Sequence, residues 1–276
     1  MNNSSFRTNL NLEKVSVSVV IATFNGEKFI LELLESIANQ TRQVEEIIVC
    51  DDCSTDNTIK MLNFFKLKYP DLNVKIIINK YQLGITKNFS KAIKLSVGDL
   101  IFLADQDDFW HNNKVQVMLN SYIKGNSSYI ISDMNILNNT GDLEKFTWAE
   151  LMENNYGITK SHVMNGCAVL ATKKFFQSCL PVPYGKAHDV WFAYCAKRLK
   201  TRFFLDEPLM NYRIHLQGSS SNYFVGKLNL NEKNTNLKFN SNFKTLFNTR
   251  KKFLLIKMKL LMHVHFIYVV IKFKRF

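Results

Sequence analysis

Residues 98–110 read Gly98-Asp99-Leu100-Ile101-Phe102-Leu103-Ala104-Asp105-Gln106-Asp107-Asp108-Phe109-Trp110, and the fold turns on how they are read. Leu100 to Ala104 form a short, wholly apolar run, the pattern of a strand buried on both faces of a parallel sheet. Three carboxylates follow within four positions: Asp105, Asp107 and Asp108. Like charges this close repel, so the cluster makes best sense with a cation among them. Asp-x-Asp at the C-terminal end of a strand sets hard oxygen ligands where open α/β sheets bind their ligands. Such oxygens suit Mg²⁺ or Mn²⁺, which commonly join carboxylates to substrate phosphates. A solvated acidic turn after a core strand fits the same residues.

Working outward, the same grammar repeats. Val15–Ala22 (VSVSVVIA) is a β-branched strand, Thr23-Phe24-Asn25-Gly26 is a turn, and 27–39 has helical spacing. Glu46–Cys50 is a second strand that ends in Asp51-Asp52, followed by a helix over 58–68 that stops before Pro70. Val74–Ile78 is a third strand, and 88–95 a third helix leading into the Leu100 strand. Strand–helix alternation of this kind predicts β-α-β units around a mostly parallel sheet. After Trp110 the rhythm loosens. A helix is expected over 114–124, strands over 129–133, 165–171 and 202–205, and helices over 173–179 and 190–199. Residues 138–160 read as a polar stretch that covers the site.

Hydrophobic residues make up 46% of the 276-residue chain and aromatics 13%, enough for a sizeable core. The net charge of +13 looks like a nucleic-acid signature until it is located. Residues 227–276 carry twelve Lys and Arg against Glu232 alone, so +11 belongs to that tail and the rest is near neutral. Nucleic acid is therefore not expected as a partner. Within 243–276, Lys and Arg interleave with Phe, Leu, Ile and Met at roughly helical spacing, the pattern of a helix on an anionic membrane surface. A tail packed on its own domain is the alternative. The expected organisation is a polar leader over 1–14, a main domain over 15–222, and a linker with a basic tail over 223–276. Five cysteines without a paired framework favour a reducing compartment, and Cys50-Asp51-Asp52-Cys53 lacks the second pair a zinc site needs. Residues 1–14 lack the apolar segment of a signal peptide, and no run reaches the roughly 20 apolar residues that span a bilayer. The expected location is cytoplasmic, peripheral at the inner face of the cell membrane.

Several residues carry two readings each. Asp51 and Asp52 suit ribose or base recognition at the sheet edge, and equally a turn with a helix cap. Asp189, before a helical run, is either that helix's N-cap or a general base. His215, after Tyr212-Arg213-Ile214, is a surface histidine or a metal ligand. Arg213 could neutralise a diphosphate.

Taken together, VSVVIATFNG, IIVCDDCSTDNT, LGITKNFSKAI, GDLIFLADQDDFW and HDVWFAYCAKRLKTRFFLDEPLMNYRIH resemble the family 2 glycosyltransferases of GT-A fold. The His-Asp-x-Trp and Tyr-Arg-x-His runs are most similar to the rhamnosyltransferase-like branch. The resemblance spans about 15–222, with its motifs in order and spacing.

The resemblance implies roles position by position. Thr23, Phe24 and Asn25 would bind the donor, the first two lining the base pocket. Asp52, with Asp51 beside it, would hold the base and ribose, and Asp105 would approach ribose and metal. Asp107 would ligate Mg²⁺ or Mn²⁺, with His215 completing that site. Asn165, Gly166 and Cys167 would lie near the donor sugar or the acceptor, the first two as donor-binding residues, and Arg213 near the diphosphate. Asp189 would deprotonate the acceptor hydroxyl, giving inversion at the anomeric carbon. The expected donor is a dTDP- or UDP-sugar, with rhamnose as the branch-level sugar. The expected acceptor is a glycan or lipid-linked saccharide in surface polysaccharide synthesis. A non-catalytic protein that kept the fold is the alternative. Two departures stand out: Cys53 replaces the commoner glycine of the acidic turn, and His188 stands where many relatives have Glu.

Overall fold

The apolar runs become strands, the three central ones buried almost throughout and the one at the sheet edge partly exposed. Strands β1 (Val17–Thr23), β2 (Glu46–Asp51), β3 (Val74–Ile78) and β4 (Leu100–Asp105) alternate with helices α1 (Ile30–Ala38), α2 (Thr58–Lys68) and α3 (Ile85–Leu95). The computed structural model describes residues 15–214 apart from 126, 139, 140 and 164. The leader over 1–14, His215 and the tail over 223–276 lie outside the described residues.

The four strands pair in parallel in the order β3-β2-β1-β4. The chain first steps leftward from β1 to β3, then crosses back so that β4 joins the other edge of β1. Helix α1 packs on α2, whereas α3 packs on β1 and β2 and on the later helices α6 (Lys173–Cys179) and α7 (His188–Arg198). Right-handed crossovers require this split between faces. The reversal makes the β1/β4 boundary a switch point, the crevice where open α/β sheets hold ligands. Register brings the strand ends level there: Ala22 lies beside Asp105, and Thr23 beside Asp51.

The second half is mixed. Strand β8 (Val169–Thr172) runs antiparallel to β4, and β6 (Tyr129–Leu137) antiparallel to β8. Strand β9 (Arg202–Arg213) lies parallel to β6, and the two-residue β5 (Phe109–Trp110) closes on β9. Since β8 enters from the C-terminal end of β4, the residues just before it, Asn165 to Cys167, arrive at the acidic turn.

Several expectations for this half are corrected. The strand expected over 165–171 is confined to Val169–Thr172, and the one expected to end at Leu205 continues to Arg213. It passes Pro208 by a bulge, with pairing stepping from Ser132–Leu205 to Asp133–Pro208. Residues 138–160 are not a plain cover. They hold β7 (Leu143–Thr147) and helix α5 (Trp148–Tyr156), which opens on a Thr147/Glu150 capping box. Helix α7 starts at His188 with Ala187 at the cap, so Asp189 is inside the first turn and is not the N-cap. Helix α4 (Lys114–Lys124) is as expected.

Candidate active site

The acidic turn after β2 is fully employed by its own chain. Asp51 is buried and accepts from the Thr23 hydroxyl at 2.8 Å, the Ser54 N–H at 2.8 Å and the Ser54 hydroxyl. Asp52 accepts from Asn79 Nδ2 and from the Leu83 and Gly84 N–H groups, at 2.7 to 2.8 Å. These bonds tie the loops after β1, β2 and β3 into one rim. Asn25 joins that rim by accepting from the Thr55 N–H at 2.9 Å and donating its own N–H to the Ser54 hydroxyl oxygen at 2.8 Å. Asn25 and Cys53 have positive φ, 50° and 67°. Asn tolerates this left-handed region, and Cys does so at a cost that glycine would escape.

Phe24 stands half exposed at the rim. Its backbone is gripped by Gln106, the middle residue of Asp-x-Asp: Oε1 accepts from the Phe24 N–H at 2.9 Å and Nε2 donates to the Phe24 carbonyl at 3.1 Å. Gly26 exists for this grip, since a Cβ there would stand 2.5 Å from Gln106 Oε1. Neither Gln106 nor Gly26 was singled out from sequence, although the Asn-Gly pair in the β1 turn is the signal that something approaches the backbone closely.

The turn after β4 is different in kind. Asp108 Oδ2 accepts from the Asp105 N–H at 2.9 Å, while its Oδ1 is buried with no hydrogen-bond partner. Ligand atoms of Asp105, Asp108 and Cys167 lie within 4.8 Å of one another. Asp107 stands in the same field, raising the carboxyls of both its neighbours. Burial, then the charges of Asp107 and Asp189, push Asp105 up to about 8. Burial and the same cluster push Asp108 well above the usual carboxylate range, against the pull of Lys114. Lys114 is wholly buried, with Nζ 4.4 Å from the centre of the Trp110 ring and 3.3 Å from the Cys167 carbonyl oxygen; burial pushes it down to about 8. Sequence reasoning set Cys167 near the donor sugar or acceptor but not against the carboxylates, and missed Lys114 altogether. A divalent cation fits this set: hard oxygens converge, one is unsatisfied, and their mutual repulsion is what such a charge removes.

Asp189 faces this cluster closely enough to raise Asp105 electrostatically, and its Oδ1 accepts from the Val190 N–H at 2.7 Å. Gly166 packs against it: a Cβ there would be 3.3 Å from Asp189 Cβ and 3.0 Å from His188 Nε2. Asn165 Oδ1 accepts from the Cys167 thiol at 2.7 Å, which shapes the strap over the site. His188, stacked on Phe89, has both ring nitrogens buried without partners. Arg213 sits at the end of β9, bound to Glu32 at 2.8 Å and lying over the Phe29 ring. The structure thus gathers Asp105, Asp107, Asp108, Cys167 and Asp189, and engages Arg213 with α1.

Residues 18–177 match the family model described as Glycosyl transferase family 2. An Escherichia coli protein named UDP-Glc:alpha-D-GlcNAc-diphosphoundecaprenol beta-1,3-glucosyltransferase WfgD is 31% identical over 144 residues, 50% of this chain and 55% of that protein. The dTDP-rhamnosyl transferase RfbG of Shigella flexneri is 29% identical over 208 residues, 71% of each chain. Among solved structures, S. aureus TarS 1-349 in complex with UDP-GlcNAc superposes with a TM-score of 0.60 at 22% identity, covering 75% of this chain and 60% of that one. The chain thus spans little more than half the length of the WfgD protein and of that TarS fragment. Among the described residues no helix is long and apolar enough to cross a membrane.

Proposed function

The chain belongs to glycosyl transferase family 2, and from that premise we propose that it moves a sugar from a nucleotide-sugar donor to a hydroxyl of a phosphate-bearing, lipid-linked glycan. The donor is a dTDP- or UDP-sugar, the classes that the names of the similar proteins carry. The observation that carries the reading is the under-partnered carboxylate cluster at the switch point, with Asp189 facing it. Thr23, Phe24, Asn25, Asp51 and Asp52 form the wall for base and ribose. Phe24 offers the ring, and Asp51 and Asp52 hold the wall in shape.

Asp105 and Asp107 would hold Mg²⁺ or Mn²⁺, with His215 as a further ligand. The cation, when bound, supplies charge stabilisation to the departing diphosphate. Asp189 takes the proton of the acceptor hydroxyl as that oxygen attacks the anomeric carbon from the face opposite the leaving group, so the configuration inverts. It stands in the first turn of α7, at the electropositive end of that helix. Asn165 and Gly166, on the strap against Asp189, position the sugar. Arg213 would turn from Glu32 toward the diphosphate. The basic segment over 243–276 would hold the enzyme on the cytoplasmic membrane face, where such acceptors reside.

Nucleotide release from dTDP-rhamnose, UDP-glucose and UDP-GlcNAc with Mn²⁺ tests this. Turnover of one nucleotide class, abolished by EDTA, is expected. Asp107→Ala and Asp189→Ala should each lower it by roughly 10²- to 10⁴-fold. Wild-type rates in both variants would make the site assignment wrong.

A further inference from the structure

Charge over residues 1–226 is not spread evenly. Residues 72–98 hold five lysines and no acid, and residues 173–200 hold six Lys and Arg against Asp189 alone. These two stretches are ten positive charges in surplus. Residues 1–226 as a whole carry +2, so the remainder is eight in deficit. The fold brings the two stretches together, because α3, α6 and α7 pack on one another as one helical layer. Phe89 of α3 stacks on His188 of α7, and Phe176 of α6 meets Phe192 of α7 edge-on. On α3 the buried Asn88, Phe89, Ala92 and Ile93 fix the inner face, so helical phase turns Lys87, Lys91 and Lys94 outward. Lys174 on α6 and Lys197 on α7 are exposed likewise.

Apolar side chains stand among these cations. Ile85, Leu95 and Val97 are exposed at the two ends of α3, Val190 is exposed on the first turn of α7, and Tyr184, in the loop before it, is 98% exposed. Such a mixture suits the boundary between lipid headgroups and acyl chains: apolar groups enter it while ammoniums meet lipid phosphates. A nucleic acid would engage the lysines and leave Ile85, Leu95 and Val97 with nothing to bury in. The opposite helical layer is mixed in charge. Helix α2 also exposes Phe64 and Leu67, but α1, packed against it, carries Glu32 and Glu35, and Lys68 is paired with Glu35 at 2.6 Å.

We propose that the layer of α3, α6 and α7 is the face by which the domain lies on an anionic bilayer. The exposed start of α7 belongs to that face, and Asp189 precedes Val190 there. An acceptor anchored in the bilayer therefore brings its hydroxyl to the base without leaving the lipid. That bearing on the acceptor rests on the transferase reading; the face itself does not. A basic tail would draw the chain to vesicles whichever face it showed them, so the test reads positions on the domain.

The three native tryptophans are buried, so a tryptophan placed at an exposed position reports its own surroundings. Tyr184→Trp and, on the opposite layer, Leu67→Trp are made in the full chain and mixed with phosphatidylglycerol vesicles whose acyl chains are partly brominated. The Tyr184→Trp emission should shift to shorter wavelength and be quenched, and the Leu67→Trp emission should keep its intensity. Vesicle affinity should fall at least about tenfold in Lys87→Glu/Lys94→Glu. It should change far less in Lys60→Glu/Lys66→Glu, the same charge change on α2. No vesicle binding, equal quenching at the two positions, quenching at neither, or equal loss in the two charge variants overturns the face. So does a Lys87 and Lys94 dependence seen with a DNA duplex and not with vesicles. Nucleotide-sugar turnover is measured on the same preparations. Turnover without quenching at position 184 overturns the face and leaves the transferase reading standing. Quenching at 184 without turnover keeps the face and overturns that reading.

Discussion

Two acidic turns stand at one sheet edge, built from the same residue and held in opposite states. Asp51 and Asp52, after β2, meet six hydrogen-bond donors of their own chain at close range. Asp105 and Asp108, after β4, press their carboxyls together with one oxygen buried and unpaired. The first turn is complete without a ligand and braces the rim. The second cannot carry its full charge alone and so holds on to protons, which a cation from outside would replace. Carboxylates at a strand end are therefore not equivalent. Their satisfied or unsatisfied state separates those that shape a site from those that work in it.

Removing one carboxyl from each turn tests that contrast. Asp51→Ala strands the Thr23 and Ser54 donors in a buried setting and should cost about 3 kcal/mol in urea unfolding. Asp105→Asn should cost little. Burial raises Asp105 from 3.8 to about 8, so the folded state binds a proton the unfolded state has lost. Wild-type stability from this group accordingly falls as pH rises from about 4 to 8. At pH 8 the Asn variant should match or exceed the wild type, and similar losses in both variants would erase the distinction. A smaller effect sharpens it: Cys53→Gly should stabilise by up to about 1 kcal/mol, because it relieves a left-handed backbone in the braced turn. A loss of stability would mean that the Cys53 Sγ bond to the Asn79 carbonyl outweighs that strain.

Much of the first half was legible because parallel strands are continuous apolar runs and their helices are periodic. The second half was less so. Strand β5 is two residues long, and β9 crosses Pro208 on the strength of pairing with β6, partners more than 70 residues away in sequence. Helix α5 could have been read from its Thr147-x-x-Glu150 box and was not. At the site, Asp105 and Asp107 announced themselves by spacing. Cys167 reaches Asp105 only because β8 is antiparallel to β4, and Gln106 acts only because Gly26 leaves it room. Lys114 reads as an ordinary helix-start lysine until burial places it behind the cluster. Local pattern cannot convey such distant juxtapositions.

The most direct test of the central claim, that the second turn awaits a cation, is a Mn²⁺ titration by calorimetry. It would be run at pH 7 in two buffers of different ionisation enthalpy, on the wild type and Asp105→Asn. With Asp105 raised to about 8, a metal that binds its carboxylate must expel the proton. The account predicts proton release by the wild type, affinity that climbs from pH 6 to 8, and less of both in Asp105→Asn, where Asp108 alone of the pair stays raised. Mn²⁺ binding without proton release, or unchanged in the variant, would contradict it.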